Sequence, residues 1–150
     1  MKARDIMHWN PSVVTPDEAV SHAAEYMRYE NDACIPVVQD ATTRVLVGII
    51  TARDLATRCM ARGHRPACSV GEHMTPVPLH TAHLEDDLRP LLHRMHNHEV
   101  RRLPVVSEDG ILMGVISEAA IIEALATEEF HNRLSASMME GLARNRLIPS

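Results

Sequence analysis

A chain of 150 residues, 45% hydrophobic and 23% charged, has the makeup of a soluble globular unit with one ordinary core. Aromatic residues make up only 3%, so that core is expected to be aliphatic, and a net charge of −5 without a long basic run excludes a general nucleic-acid binder. Cys34, Cys59 and Cys68 lack CxxC spacing, which excludes a secreted disulfide framework, and no apolar run approaches the roughly 20 residues that span a bilayer. Met1–Asp5 has no signal-peptide apolar stretch, so a cytoplasmic location is expected.

In chain order, Val13-Val14-Thr15 reads as a short strand after the Asn10-Pro11 turn. Thr15-Pro16-Asp17-Glu18 has the form of a capping box with Pro at the first helical position, so a helix is expected from Thr15 to about Glu30. Val20, Ala23, Ala24 and Met27 fall on one face of it. Strands follow at Ala33–Val38 and Arg44–Ile50 around a polar turn. A second helix runs from near Thr51 to Gly63, its C-terminal stop. After a linker, Pro78-Leu79 reads as a short strand. Pro90 is tolerable only in a first helical turn, which starts the next helix near Asp87. Strands at Val100–Val106 and Leu112–Ile116 enclose another turn, and a helix begins at Ser117. In the tail, Phe130, Leu134, Met138 and Leu142 form a narrow apolar stripe suited to packing on the body or on a partner.

The chain says the same thing twice. Cys34-Ile35-Pro36-Val37-Val38 is echoed by Arg102-Leu103-Pro104-Val105-Val106, and Val47-Gly48-Ile49-Ile50-Thr51 by Met113-Gly114-Val115-Ile116-Ser117. Asp5-Ile6-Met7 is echoed by Glu72-His73-Met74. The offsets are 68, 66 and 67 residues, so the chain is a tandem duplication. The expected fold class is α+β: two tandem β-α-β-β-α repeats that pack together as one unit, plus a helical tail. The expected bounds are 1–63 for repeat one, 64–71 for the linker, 72–126 for repeat two and 127–150 for the tail.

This duplicated pattern, with its Pro-Val-Val strand and its h-G-h-h-[S/T] strand-to-helix junction, resembles the CBS-domain pair, or Bateman module, over roughly residues 3–126. It is similar in particular to small stand-alone bacterial CBS proteins of stress and dormancy. The resemblance implies two repeats packed through their sheets with pseudo-two-fold symmetry, a homodimer, and clefts between repeats that bind an adenosyl compound: AMP, ADP, ATP, NAD or S-adenosylmethionine. It implies no required cofactor.

The family's ligand signature ends in [S/T]-x-x-D at the head of a helix. The first repeat has it complete in Thr51-Ala52-Arg53-Asp54. Thr51 at the N-cap and the free N–H groups beside it can meet a phosphate, and Asp54 can accept both hydroxyls of a ribose. The same two residues also make a capping box needing no ligand. The second repeat keeps the hydroxyl in Ser117 but has Ala120 in place of the acid. Its cleft, with Val100, Pro104 and Ser117, is therefore expected to be weak or altered. The resemblance places Val14, Thr15, Asp32, Ala33, Cys34, Pro36 and Arg53 at the first nucleotide, the small residues before Pro36 leaving room for a flat base. It sends Arg101 or Arg102 across to the phosphates, where a planar guanidinium binds in a bidentate way. The alternative is that both arginines pair with surface carboxylates.

Ten histidines are an oddity. His93, His96 and His98 cluster without the HExxH spacing, so no metal site is expected there. Asp86-Asp87 reads as a cap. No nucleophile–base pairing, Walker A loop or dinucleotide fingerprint is present, which argues against an enzyme. The expected function is a regulatory adenine-nucleotide sensor with one competent site per chain. The alternative is a partner-binding or structural stress protein with vestigial clefts.

Overall fold

Each Pro-Val-Val segment pairs antiparallel with the strand that follows it. The computed structural model describes residues 1–146. Its helices are α1 (Ala3–Ile6), α2 (Val20–Glu30), α3 (Ala52–Asp54), α4 (Val70–His73), α5 (Leu88–Asn97) and α6 (Glu118–Arg146). Its strands are β1 (His8–Trp9), β2 (Cys34–Val38), β3 (Leu46–Thr51), β4 (Thr75–Pro76), β5 (Arg102–Val106) and β6 (Leu112–Ser117). They form two three-stranded sheets, ordered β2-β3-β4 and β1-β6-β5. In both, the Pro opposes a β-branched residue: Pro36 faces Ile49 and Pro104 faces Val115.

The sheets exchange their edges. β1, from the start of repeat one, pairs with β6 of repeat two, and β4, from the start of repeat two, pairs with β3. The two strand glycines make this possible. A Cβ on Gly114 would lie 2.5 Å from the His8 carbonyl oxygen, and one on Gly48 2.7 Å from that of Thr75.

Under each sheet lies an aliphatic core, as the low aromatic content implies. One gathers Val14, Val20, Ala23, Ile35 and Ile50; the other gathers Ala82, Leu88, Leu91, Leu103 and Ile116. A third cluster, Val38, Leu46, Val106 and Leu112, takes two residues from each repeat. There the halves join by backbone: Leu46 N–H donates to Gly110 O at 3.0 Å and Leu112 N–H to Arg44 O at 2.9 Å. These reciprocal bonds mark the pseudo-two-fold axis.

Five local expectations change. The first helix begins at Val20, not Thr15. Thr15 N–H does donate to Glu18 Oε2 at 2.6 Å, closing a turn. Ala19 is then held extended by an antiparallel bridge to Ser69 of the linker, Val20 N–H donating to Cys68 O at 2.8 Å and Val70 N–H to Glu18 O at 2.8 Å. The strand expected at Val13-Val14-Thr15 shrinks to a single parallel bridge from Val14 to Val37. Its counterpart is Ala82, bridged to Val105, and not Pro78-Leu79, where proline has no N–H to donate. The helical stretch after Thr51 does reach Gly63, but it passes through a wide π-type segment at Leu55–Cys59 and a tighter 3₁₀ turn at Met60–Arg62. Finally, α6 runs unbroken from repeat two into the tail, and its stripe does not fold back on the body: Phe130 is 64% exposed, with Leu134, Met138 and Leu142 also exposed. Residues 147–150 of the expected tail lie outside the described residues. The helix at Leu88–Asn97, with Asp87 as its N-cap residue and Pro90 in the first turn, stands as the sequence predicts.

Candidate nucleotide site

β3 delivers Thr51 in extended conformation directly to the start of α3. Thr51 N–H donates to Asp54 Oδ2 at 3.0 Å, and Asp54 N–H donates to Thr51 Oγ1 at 3.1 Å, a reciprocal capping box. Asp54 is 8% exposed, a buried acid whose second oxygen, Oδ1, lies 3.6 Å from Arg58 Nε. Arg58 is anchored in turn on the carbonyls of His73 (3.5 Å) and Met74 (3.3 Å). Around this helix start, Ala52 N–H donates to Ala33 O at 2.9 Å, and Cys34 is the strand partner of Thr51. Arg53 is exposed. Val14 N–H donates to Pro36 O at 3.2 Å, while half-buried Thr15 turns its hydroxyl to Asp17 at 2.6 Å.

The second repeat repeats this geometry without the acid. Ala120 N–H donates to Ser117 Oγ at 3.1 Å, and Glu118 N–H to Arg101 O at 2.8 Å. Half-buried Val100 packs against the second core, and buried Pro104 accepts from Ala82 N–H at 2.9 Å. Glu118 is occupied by His96 Nε2 at 2.7 Å.

The two arginines separate. Arg101 is 86% exposed, its Nε 4.0 Å from Glu118 on the surface. Arg102 turns inward, its Nε 2.7 Å from Asp32 Oδ1, and Cys34 N–H donates to the same oxygen at 3.1 Å. Together Asp32, Cys34 and Arg102 line a cavity of about 140 Å³ with His8, Ser117 and Ala120. Asp32 and Cys34 of repeat one are thus gathered with the Ser117 side of repeat two. Cys34 stands between the two sides. Burial above all, then the Asp32 charge, pushes its thiol up to about 12; Asp54 adds to this and Arg102 opposes it. At neutral pH this keeps Cys34 as the protonated thiol.

Of the remaining candidates, His93 is exposed, His96 is paired with Glu118, and His98 stacks on His80 with ring centroids 3.7 Å apart. The structure does not gather these three as donors to one ion. Asp86 Oδ2 accepts from His83 N–H at 3.0 Å, closing a turn, and Asp87, the N-cap residue of α5, turns its carboxylate to Lys2 Nζ at 2.8 Å, so the side-chain cap expected of Asp86-Asp87 does not form. The sequence reading missed Arg58 as the neighbour of Asp54, and it missed the Asp32–Arg102 pair. The first could have been found from the i, i+4 spacing of Asp54 and Arg58. The second joins residues 70 positions apart and carries no local signal.

No helix among the described residues is long and apolar enough to cross a membrane. Among curated proteins, the chain is 34% identical over 133 residues to inosine-5'-monophosphate dehydrogenase of Streptococcus pyogenes, aligning 85% of this chain but only 26% of that enzyme. The chain thus spans about a quarter of that relative's length. It is 31% identical to Hypoxic response protein 1 of Mycobacterium tuberculosis, over 82% of this chain and 84% of that protein. A crystal structure of Hypoxic Response Protein I with two coordinated zinc ions superposes with a TM-score of 0.72 over 82% of this chain and 98% of that one, at 31% identity. CBSX2, a CBS-pair protein of Arabidopsis thaliana, in complex with AMP superposes with a TM-score of 0.73 over 85% of this chain and 98% of that one, at 26% identity. The family model for the CBS domain matches residues 3–61 and again 70–127. Two matches in tandem, over repeats that exchange strands about a pseudo-two-fold axis, establish that this chain belongs to the CBS-domain family as a CBS pair.

Proposed function

We propose that this CBS pair is a regulatory module that binds an adenosyl ligand at one competent site per chain and performs no catalysis itself. The carrying observation is the buried Asp54 carboxylate at the head of α3, set in a duplicated frame whose other copy has Ala120. The Thr51 hydroxyl, which accepts from Asp54 N–H, can donate its own O–H to a phosphate, and Asp54 accepts the ribose diol. The AMP complex of CBSX2 supports this ligand class. Residues Val14, Thr15, Ala33, Cys34, Pro36 and Arg53 frame that site, with Asp32 and Arg102 between it and the Ser117 cleft.

A cavity of about 140 Å³ is smaller than the roughly 300–1,000 Å³ of a small-molecule site. We therefore assign the Asp32–Arg102 pair as the closure of the central cleft. A ligand phosphate competes with Asp32 for the Arg102 guanidinium, and the pair opens as the ligand enters. This is the differential interaction that binding needs if it is to shift the module between two states.

The test is a thermal-shift panel of AMP, ADP, ATP, NAD and S-adenosylmethionine on the wild-type chain. At least one is expected to raise Tm, by about 2.7 kcal/mol of added stability at a concentration 100 times its Kd. No shift with any of the five would favour the partner-binding reading with vestigial clefts.

The exposed stripe Phe130, Leu134, Met138 and Leu142 supports a homodimer, or a protein partner, held through α6. Sedimentation equilibrium is expected to give a dimer for the wild type and a shift toward monomer for Leu134→Glu. A wild-type monomer at all concentrations sinks the dimer.

A further inference from the structure

The inter-repeat linker carries donor side chains that the nucleotide cleft does not use. Gly63, at φ 73°, turns the chain out of the helical stretch that follows Thr51. His64 comes next, its N–H donating to Cys59 O at 3.0 Å. Cys68 closes a turn, its N–H donating to Arg65 O at 3.0 Å, and His73 ends α4 with its side chain 3% exposed. The ligand atoms of His64, Cys68 and His73 all lie within 4.8 Å of one another. His64 Nδ1 is 3.2 Å from His73 Nε2.

That spacing is informative. Two imidazole nitrogens bound to one tetrahedral zinc, each about 2.0–2.1 Å from it, stand about 3.3 Å apart. The two rings are tilted 46° to each other and unstacked, and at this distance one imidazole N–H donates to the other's ring nitrogen, a hydrogen bond that a shared ion would replace. A thiolate on the same ion stands about 3.6 Å from each nitrogen, within the reach of a side-chain rotation at Cys68. Imidazole and thiolate together select a borderline-soft ion and disfavour magnesium or calcium.

We propose that His64, Cys68 and His73 form a three-ligand site for a zinc-class divalent cation. Both histidines bind as neutral imidazoles. Cys68 binds as the thiolate, its proton released to the buffer. His64 is exposed, which leaves the fourth position open to water. The ion would tie the linker to α4, and so one repeat to the other. The site stands one side chain from the nucleotide acid, because Arg58 bridges the His73 carbonyl and Asp54.

The experiment uses the full chain without an affinity tag, stripped with a chelator and kept reduced with a phosphine, then titrated with Co²⁺ followed by displacing Zn²⁺. The expected result is one Co²⁺ per chain, with a thiolate-to-cobalt charge-transfer band and the strong visible bands of a tetrahedral site. Cys68→Ser should lose the charge-transfer band. His64→Ala, an exposed position whose variant should fold by circular dichroism, should weaken binding by more than the roughly 10–100-fold typical of losing an outer-shell partner. His93→Ala should bind as the wild type does. Absence of the band in the wild type, its persistence in Cys68→Ser, or its loss in His93→Ala overturns the assignment.

Discussion

Gly114→Ala is expected to lower stability by about 1–3 kcal/mol, the range for forcing one extra carbon into a packed position, and Gly114→Val by more. The added Cβ would stand 2.5 Å from the His8 carbonyl oxygen and 3.1 Å from Met7 Cε. The first of these is backbone, so rotating a side chain cannot relieve it, and β1 must move off β6. For a domain of this size the loss lowers Tm by roughly 2–4 °C for each kcal/mol. Gly48→Ala should behave alike, since its Cβ would meet the Thr75 carbonyl oxygen at 2.7 Å. Gly141→Ala is the control. Nothing lies within 4 Å of that Cβ, and in a helix the change should be neutral or stabilising by up to about 1 kcal/mol. Thermal unfolding of the four variants checks this. Equal effects at Gly114 and Gly141 would contradict the strand exchange.

Much of this architecture is legible in the sequence because the repeat fixes it. The Pro-Val-Val strands, their partners and the Pro90 helix follow from period and turn chemistry alone. The exchange of β1 and β4 is not legible. Each is two residues long, and its partner lies more than 100 positions away for His8 and 26 for Thr75, so no local pattern reports it. The start of α2 was misplaced for a related reason. The capping signal at Thr15–Glu18 is real, but hydrogen bonds from the linker at Cys68 and Val70 override it and delay the helix to Val20. The stripe on α6 is legible as apolar, yet periodicity does not say whether anything in the chain covers it. At the site, Thr51 and Asp54 could be placed from spacing, whereas the Asp32–Arg102 closure depends on the packing of two repeats.

The second large effect concerns Asp54, which has two separable roles. As a cap, its carboxylate accepts Thr51 N–H, a contact an asparagine oxygen can also make, so Asp54→Asn should cost no more than about 1 kcal/mol of stability. As a ligand group, its charge strengthens hydrogen bonds to a diol. Losing a charge-assisted bond costs about 1.5–3 kcal/mol, which is roughly 10- to 150-fold in affinity. A purely structural Asp54 would show neither that asymmetry nor any dependence on ligand.

Calorimetric titration of the adenosyl ligand giving the largest thermal shift, into wild type and Asp54→Asn, is the most direct measurement. One ligand bound per chain, with at least tenfold weaker binding by a folded Asp54→Asn, is the expected result. Two equal sites per chain, or unchanged affinity in Asp54→Asn, would contradict a module whose single competent cleft is built on that acid.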